Sequence, residues 1–276
     1  MSLEIVTYAN KSQGMFEELV KNDFDVPIKV LGWGRKWNGY SDKSKGLLEY
    51  MKTKNDEDII VFVDGFDTKI NKSPENVMQL FKECKCRVLM SKDPENFSDI
   101  GRSLIFRQCT EKSMANAGMY MGYVKELTIM LQDEADMKCL DDQINLNALC
   151  KKHNFISVDE DERIFKNFGP LDKKQDSNAI FVSYPGSPGF DRYTRAIVEY
   201  TQFLYMYILC LIILGLAFFP QRQKVLLPIL ILFTAFYTFV ADKSCTETQS
   251  WGTNILGTPK DFTTCVKVRP WTWVNE

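Results

Sequence analysis

The chain changes character near residue 190, and that change limits its possible folds more than any other feature. Residues 200–219 (YTQFLYMYILCLIILGLAFF) carry no charge, and neither do residues 225–241 (VLLPILILFTAFYTFVA); only PQRQK (220–224) parts them. A helix of about 20 apolar residues crosses a bilayer core of roughly 30 Å, and about 17 is the lower limit. Helices buried in a soluble core normally keep a polar face. The expectation is therefore two membrane helices in a hairpin over 200–241, or one span with a re-entrant segment. Pro228 is tolerable near the start of a membrane helix. Tyr200, Tyr205, Tyr207 and Tyr237 lie near the ends, as an interfacial belt requires. Residues 191–199 read as a juxtamembrane linker, and 242–276 as a polar tail holding Trp251, Trp271 and Trp273.

Residues 1–190 follow a different rule. Short apolar runs at 4–9 (EIVTYA), 27–33 (PIKVLGW), 58–64 (DIIVFVD) and 86–91 (CRVLMS) read as strands. Amphipathic stretches at 12–21, 43–53 and 73–84 read as helices between them, the last opening with Ser73-Pro74. Strands alternating with helices predict an α/β domain, a mostly parallel sheet with helices on both faces. The net charge of −2 shows no basic excess, so no nucleic-acid partner is expected. None of the eight cysteines falls into a paired CxxC pattern, and most are expected to be reduced thiols in a core. Cys245 and Cys265 could pair if the tail faced an oxidising space. The N-terminal MSLEIVTYANKSQG lacks the basic start and apolar run of a signal peptide. The N-terminal domain is accordingly expected in the cytosol, with a hairpin returning the tail to the same side. Arg192 and Arg195 suit that placement, whereas Arg222 and Lys224 would lie on the far side, against the positive-inside tendency.

Four segments carry the candidate chemistry. In IIVFVDGFD (59–67) a strand runs into Asp64, Gly65, Phe66 and Asp67. Ligands of open α/β sheets bind beyond the carboxyl ends of strands. Two carboxylates there can share one hard divalent cation through oxygen, bridging a diphosphate as Lewis acid and template. Gly65 would allow close backbone approach, and Phe66 could stack on a base or ribose. Asp also commonly caps a strand-to-helix turn. MANAGMYMGYV (114–124) reads as a turn into a helix, or as a loop in which Asn116 and Gly118 meet a sugar hydroxyl. CLDDQINLNALC (139–150) has the spacing of a helix. Asp141 and Asp142 at its start are either ordinary N-terminal acids or a base or sugar ligand. In LGWGRKWNGYSDKSKG (31–46), Trp37 could stack on uracil and Lys45 could reach a phosphate. The lone His153 reads as a solvated surface residue.

Taken in order, these segments resemble the glycosyltransferase domain of procollagen lysyl hydroxylases and, more loosely, procollagen galactosyltransferases and large-DNA-virus homologues. DIIVFVDGFDTKI resembles the family's strand and metal-binding D-x-x-D, ANAGMYMGY its N-S-G-G-F-x-G segment, LDDQ its acid-rich stretch and ERIFKNF (162–168) its S-R-I-F-Q-N. The resemblance implies a GT-A fold, a UDP-sugar donor, a Mn²⁺ ion on Asp64 and Asp67, and donor contacts from Trp37, Lys45, Phe66, Asn116 and Gly118. Asp141 and Asp142 would lie beside the donor sugar. A hexose would pass to a protein, with hydroxylysine of a collagen-like protein as one candidate, or to a glycan. In the matching stretch IFVSYPGSPG (180–189), Ser183 stands where the family has a metal-ligating His, leaving Tyr184 or a water to fill the position. A fold that binds nucleotide sugar without turning it over is the competing expectation.

Overall fold

The computed structural model describes residues 1–94, 108–137, 142–169, 177–185, 211–242, 250–253, 259–261 and 267–268. The chain divides into two compact units, one of residues 1–187 with 250–260 and the other of residues 188–249 with 261–276.

The first unit is built on the sheet anticipated from sequence. Its strands are β1 (Leu3–Tyr8), β2 (Ile28–Leu31), β3 (Ile59–Asp64), β5 (Val88–Lys92), β6 (Ala115–Tyr123) and β7 (Ile156–Val158), in the order β2-β1-β3-β6-β5-β7. All run parallel except β6, which is antiparallel to both β3 and β5. The long apolar run of β3 has a simple cause. Its first five residues are buried, because helices cover both sides of the sheet.

Alternation along β3 sorts those residues between two layers. Ile60 and Phe62 face one side, with Leu47 and Met51 of α2 (Ser41–Met51), Leu127 and Leu131 of α4 (Val124–Ala135) and Leu149 of α5 (Asp142–Lys152). Ile59, Val61 and Val63 face the other, with Leu19 of α1 (Phe16–Val20) and Phe81 of α3 (Val77–Glu83). The same period of two carries Asp64 to the side of α2 and α5. A smaller three-stranded sheet, β4-β9-β8, is made of β4 (Thr68–Ile70), β9 (Phe181–Ser183) and β8 (Phe165–Asn167). It starts four residues after β3 ends, so the D-x-x-D turn is the hinge between the two sheets.

Residues 114–124 depart from expectation. They form a central strand, not a turn or loop. Gly122 is there for packing. A Cβ on Gly122 would lie 2.8 Å from the carbonyl oxygen of Arg87. Ala115 and Ala117 belong to one core layer and Met119 and Met121 to the other. The strand's parity therefore switches around Gly118, where its register with β5 also jumps.

The second unit contains a helix over 211–218, a 3₁₀ turn Pro220–Arg222 and a helix Gln223–Val240 with Pro228 inside it. Among the described residues no helix is long and apolar enough to cross a membrane. Residues 200–210 of the first expected span lie outside the described residues, as does most of the tail. Large apolar side chains nonetheless face outward here: Leu211, Phe218, Val225, Ile231 and Leu232 are all more than half exposed.

Candidate functional site

The strand order reverses direction at β1 and β3, and there the carboxyl ends of both strands meet the start of β6. Tyr8 is in register with Asp64, and Val63 with Met119. This is the crevice in which an open α/β sheet binds its ligands. Gly65 makes the close approach expected of it, but to the protein itself: a Cβ there would lie 2.9 Å from Thr7 Oγ1 and 3.2 Å from Ala9 Cβ.

Asp64 is the centre of an ionic cluster. Its Oδ2 accepts a hydrogen bond from Lys43 Nζ at 2.7 Å, and its Oδ1 accepts one from the backbone N–H of Phe66 at 3.2 Å. Lys43 Nζ also lies 3.6 Å from Asp142 Oδ2. The side chains of Lys43, Asp64 and Asp142 are 14%, 17% and 14% exposed, so the cluster opens to solvent only narrowly. Burial alone would lower the pKa of the Lys43 ammonium. Asp64 first, then Asp142, more than reverse that and hold it above its ordinary value. Behind them sits Glu134 of α4, 5% exposed. Burial pushes its carboxyl up to about 7, the Asp142 charge adding to the rise and a hydrogen bond with Ser44 opposing it.

Lys43 and Glu134 escaped the sequence reading, which chose Lys45. Lys45 is exposed, and its ammonium is 3.4 Å from Ser41 Oγ, one turn back. Two residues turn a helix by about 200°, so only one of the two lysines can face Asp64. The helical period was the available signal. With Leu47 and Met51 in the core, Lys43 falls on the inner face at i−4 and Lys45 does not.

An aromatic wall flanks the cluster. Trp37 is 38% exposed, with its ring 5.9 Å from Tyr8 and 6.2 Å from Tyr40. Lys43 Nζ lies 5.4 Å from the Tyr40 ring centre. Tyr8 is wedged between two glycines: a Cβ on Gly32 or Gly46 would come within 2.3 or 2.7 Å of its ring. Gly32 also has a positive φ of 75°. These contacts fix the loop that carries Trp37 and the start of α2 that carries Lys43.

Asn116 is buried. Its Oδ1 accepts the Gly118 N–H at 2.8 Å, and its amide donates to Asp93 Oδ1 at 3.2 Å and Gln143 Oε1 at 3.4 Å. Asn147 of α5 clamps Ala115 through two hydrogen bonds of 2.8 Å, fastening the helix that begins with Asp142 to the start of β6. Asp141 lies outside the described residues. Gly118 is adjacent to Asp64, whose Cβ would be 3.7 Å from a Cβ at that glycine.

Asp67 occupies a different environment. Its Oδ1 accepts a hydrogen bond from Ser183 Oγ at 3.1 Å, and its carbonyl accepts the Tyr184 N–H at 2.8 Å. Ser183 is in register with Thr68 across β4 and β9, and is 1% exposed. The Tyr184 ring stacks on Phe168 at 5.2 Å. Phe66 is half-buried on the same turn; its backbone carbonyl accepts the Met15 N–H at 2.8 Å.

Two further expectations are corrected. Four of the cysteines are not reduced thiols: Cys109–Cys150 and Cys84–Cys86 are disulfides with Cα separations of 4.9 and 5.4 Å. Connectivity across 41 residues depends on the fold and cannot be read from spacing. His153 is not a solvated residue; it is 14% exposed, lies 2.6 Å from Asp133 Oδ2 and stacks on Phe155 at 4.8 Å.

A family model described as the PLOD GT domain matches residues 1–180. The chain belongs to the PLOD GT domain family. It is a glycosyltransferase-like domain with a mixed α/β architecture. Among its relatives, the multifunctional procollagen lysine hydroxylase and glycosyltransferase of Caenorhabditis elegans is 26% identical over 185 residues, 60% of this chain and 25% of the relative. Procollagen-lysine,2-oxoglutarate 5-dioxygenase 1 of Gallus gallus is 24% identical over 192 residues, 62% of this chain and 26% of the relative. The chain thus spans about a quarter of the length of these curated relatives. A solved galactosyltransferase LgtC, in complex with donor and acceptor sugar analogues, covers 72% of this chain and 94% of its own at 13% identity and a TM-score of 0.41.

Membership raises the question of a divalent cation, and the donor set answers it in part. No group of three His, Cys, Asp or Glu residues gathers at one point among the described residues. The donors that the D-x-x-D turn offers are all oxygen: the Asp64 and Asp67 carboxylates, with the Ser183 hydroxyl bonded to Asp67. Such a set fits a hard cation that takes its remaining ligands from water and substrate phosphate, and does not fit one caged by protein alone.

Proposed function

We propose that this chain is a glycosyltransferase that moves a hexose from a UDP-sugar to a protein or glycan acceptor. Hydroxylysine of a collagen-like protein is the first acceptor to test. The observation that carries this reading is the Asp64–Lys43–Asp142 cluster at the carboxyl end of β3, in a chain of the PLOD GT domain family. The aromatic wall of Trp37 and Tyr40 offers a flat face for the uracil base. Asp64 and Asp67 would hold a divalent cation, Mn²⁺ on the family resemblance, which when bound supplies charge to the leaving diphosphate. Asp142, held at the mouth of the cluster by the Asn147 clamp, is placed to accept a hydrogen bond from a hydroxyl of the donor sugar. Asn116 has its amide engaged by Asp93 and Gln143, so we assign it the shaping of the β6 start and not a direct sugar contact.

We also propose a membrane seat for residues 200–241, supported by the outward-facing apolar side chains of the second unit. Disulfides persist in oxidising compartments, and we therefore take the catalytic domain to face such a compartment in place of the cytosol expected from its first residues. A hairpin in that orientation would leave Arg222 and Lys224 on the cytosolic side, with the positive-inside tendency, and Arg192 and Arg195 on the other, against it.

Release of UDP by the full chain tests the transferase reading, with UDP-glucose and UDP-galactose as donors and a collagen-like peptide as acceptor. Turnover that disappears in Asp64→Ala and Asp142→Asn is the expected result. UDP binding without turnover on any donor would favour the binding-protein reading, which the resemblance supports by setting Ser183 at the family's His position.

A further inference from the structure

Lys43 is not an incidental surface cation. Its ammonium is 2.7 Å from Asp64 Oδ2 and 3.6 Å from Asp142 Oδ2, with the Tyr40 ring centre 5.4 Å away. It rises from a helix whose inner residues Leu47 and Met51 are buried, so the backbone beneath it is fixed. The carboxylate it grips is one of the two that a donor-linked cation would need. The other carboxylate of the turn, Asp67, accepts a hydrogen bond from the Ser183 hydroxyl.

Resting on the donor-site reading above, we infer that Lys43 is a built-in competitor for the divalent cation. It holds Asp64 and Asp142 together, so that the cation binds well only when a nucleoside diphosphate arrives with it. The physical reasons are two. An ammonium and a divalent cation within a few ångströms of one carboxylate repel each other, strongly so where solvent is largely excluded. A diphosphate relieves the conflict from both ends: its oxygens complete the cation's coordination and give the ammonium another anionic partner. Lys43 is on this account a positioning residue that orders the binding of cation and nucleotide.

The test is Mn²⁺ affinity of the full chain, measured by calorimetry and by the spin-resonance signal of free Mn²⁺, with and without UDP. Wild type is expected to bind Mn²⁺ weakly alone and far more tightly with UDP. Lys43→Met, which removes the charge, is expected to bind Mn²⁺ alone at least about tenfold more tightly, the direction set by the lost repulsion. Lys43→Gln, whose amide can still donate to Asp64, should behave in the same way and serves if Lys43→Met does not fold. Lys43→Arg, which keeps the charge, should stay as weak as wild type. Equal affinity of wild type and both neutral variants for Mn²⁺ alone would overturn the inference. So would UDP binding that is indifferent to Mn²⁺ in every variant, a result that leaves the donor-site reading standing. Absence of UDP binding under all conditions would remove the donor-site reading and the inference with it.

Discussion

The two aspartates of the D-x-x-D turn are three residues apart and live in different electrostatic worlds. Asp64 ends a strand of the six-stranded sheet and is held by an ammonium in a nearly closed cluster. Asp67 opens toward the three-stranded sheet; its carboxylate accepts from the Ser183 hydroxyl and its backbone carbonyl from the Tyr184 N–H. The charge of Asp64 is compensated by Lys43; the Asp67 carboxylate accepts a hydrogen bond from the Ser183 hydroxyl. The same motif therefore supplies one carboxylate whose removal strands a buried cation and another whose neighbour can be trimmed at small cost.

If that contrast is correct, Asp64→Asn should have the largest effect. It leaves Lys43 with Asp142 alone, and breaking a buried ion pair by removing one partner costs about 3–5 kcal/mol. Denaturant unfolding measures the loss, and UDP release should fall by about 10² or more. An Asp64→Asn protein as stable as wild type would show that Lys43 and Asp64 are effectively solvated, and the contrast would collapse.

The Cys109–Cys150 disulfide ties the segment before β6 to α5, and so belongs to the Asp64 side alone. Replacing both cysteines with serine should lower stability by about 4 kcal/mol for a loop of this length. Trp37 fluorescence quenching by UDP should weaken, because α5 carries Asp142. No change in either quantity would assign the bridge a role outside the site.

Glu134 gives the Asp64 side a pH dependence. Its folded pKa of about 7 lies above the unfolded 4.5, so the folded state binds more protons between those values. Its contribution to stability is complete below about 4.5 and is lost as pH rises through about 7. The loss is at most about 3 kcal/mol for a shift of this size. Melting temperatures from pH 5 to pH 8.5 should fall in wild type and flatten in Glu134→Gln; parallel profiles in the two proteins would contradict the assignment.

Ser183→Ala is expected to be mildest. It removes one neutral hydrogen bond to Asp67, worth about 1 kcal/mol, and should leave UDP release within a few-fold of wild type. A loss approaching that of Asp64→Asn would mean that the hydroxyl is a cation ligand in its own right.

Several of these residues could be found in the order of amino acids. The strand ending in Asp64 was legible because burial on both faces demands a continuous apolar run, and Asp142 because an acid at the start of an amphipathic helix stands out. The strand over 115–123 was not, since its glycines and asparagine read as a turn. Only contact with Arg87, Val88 and Leu127 shows that Gly122 answers to packing. Glu134 looked like any acid on a helix until α4 was laid against α2 and α5. Its pKa comes from desolvation, a property of neighbours and not of the residue.

What the sequence settled was the α/β plan, the position of the D-x-x-D motif at a strand end and the family, because period, strand length and motif order are local. The tertiary structure decided the rest. It chose Lys43 over Lys45, since only helix phase against a packed core determines which lysine faces Asp64. It paired Cys109 with Cys150 across 41 residues. It also set Asp64 and Asp67 in separate sheets, because where a chain leaves one sheet for another is fixed by which strands find partners, and those partners lie more than a hundred residues away at Phe181–Ser183.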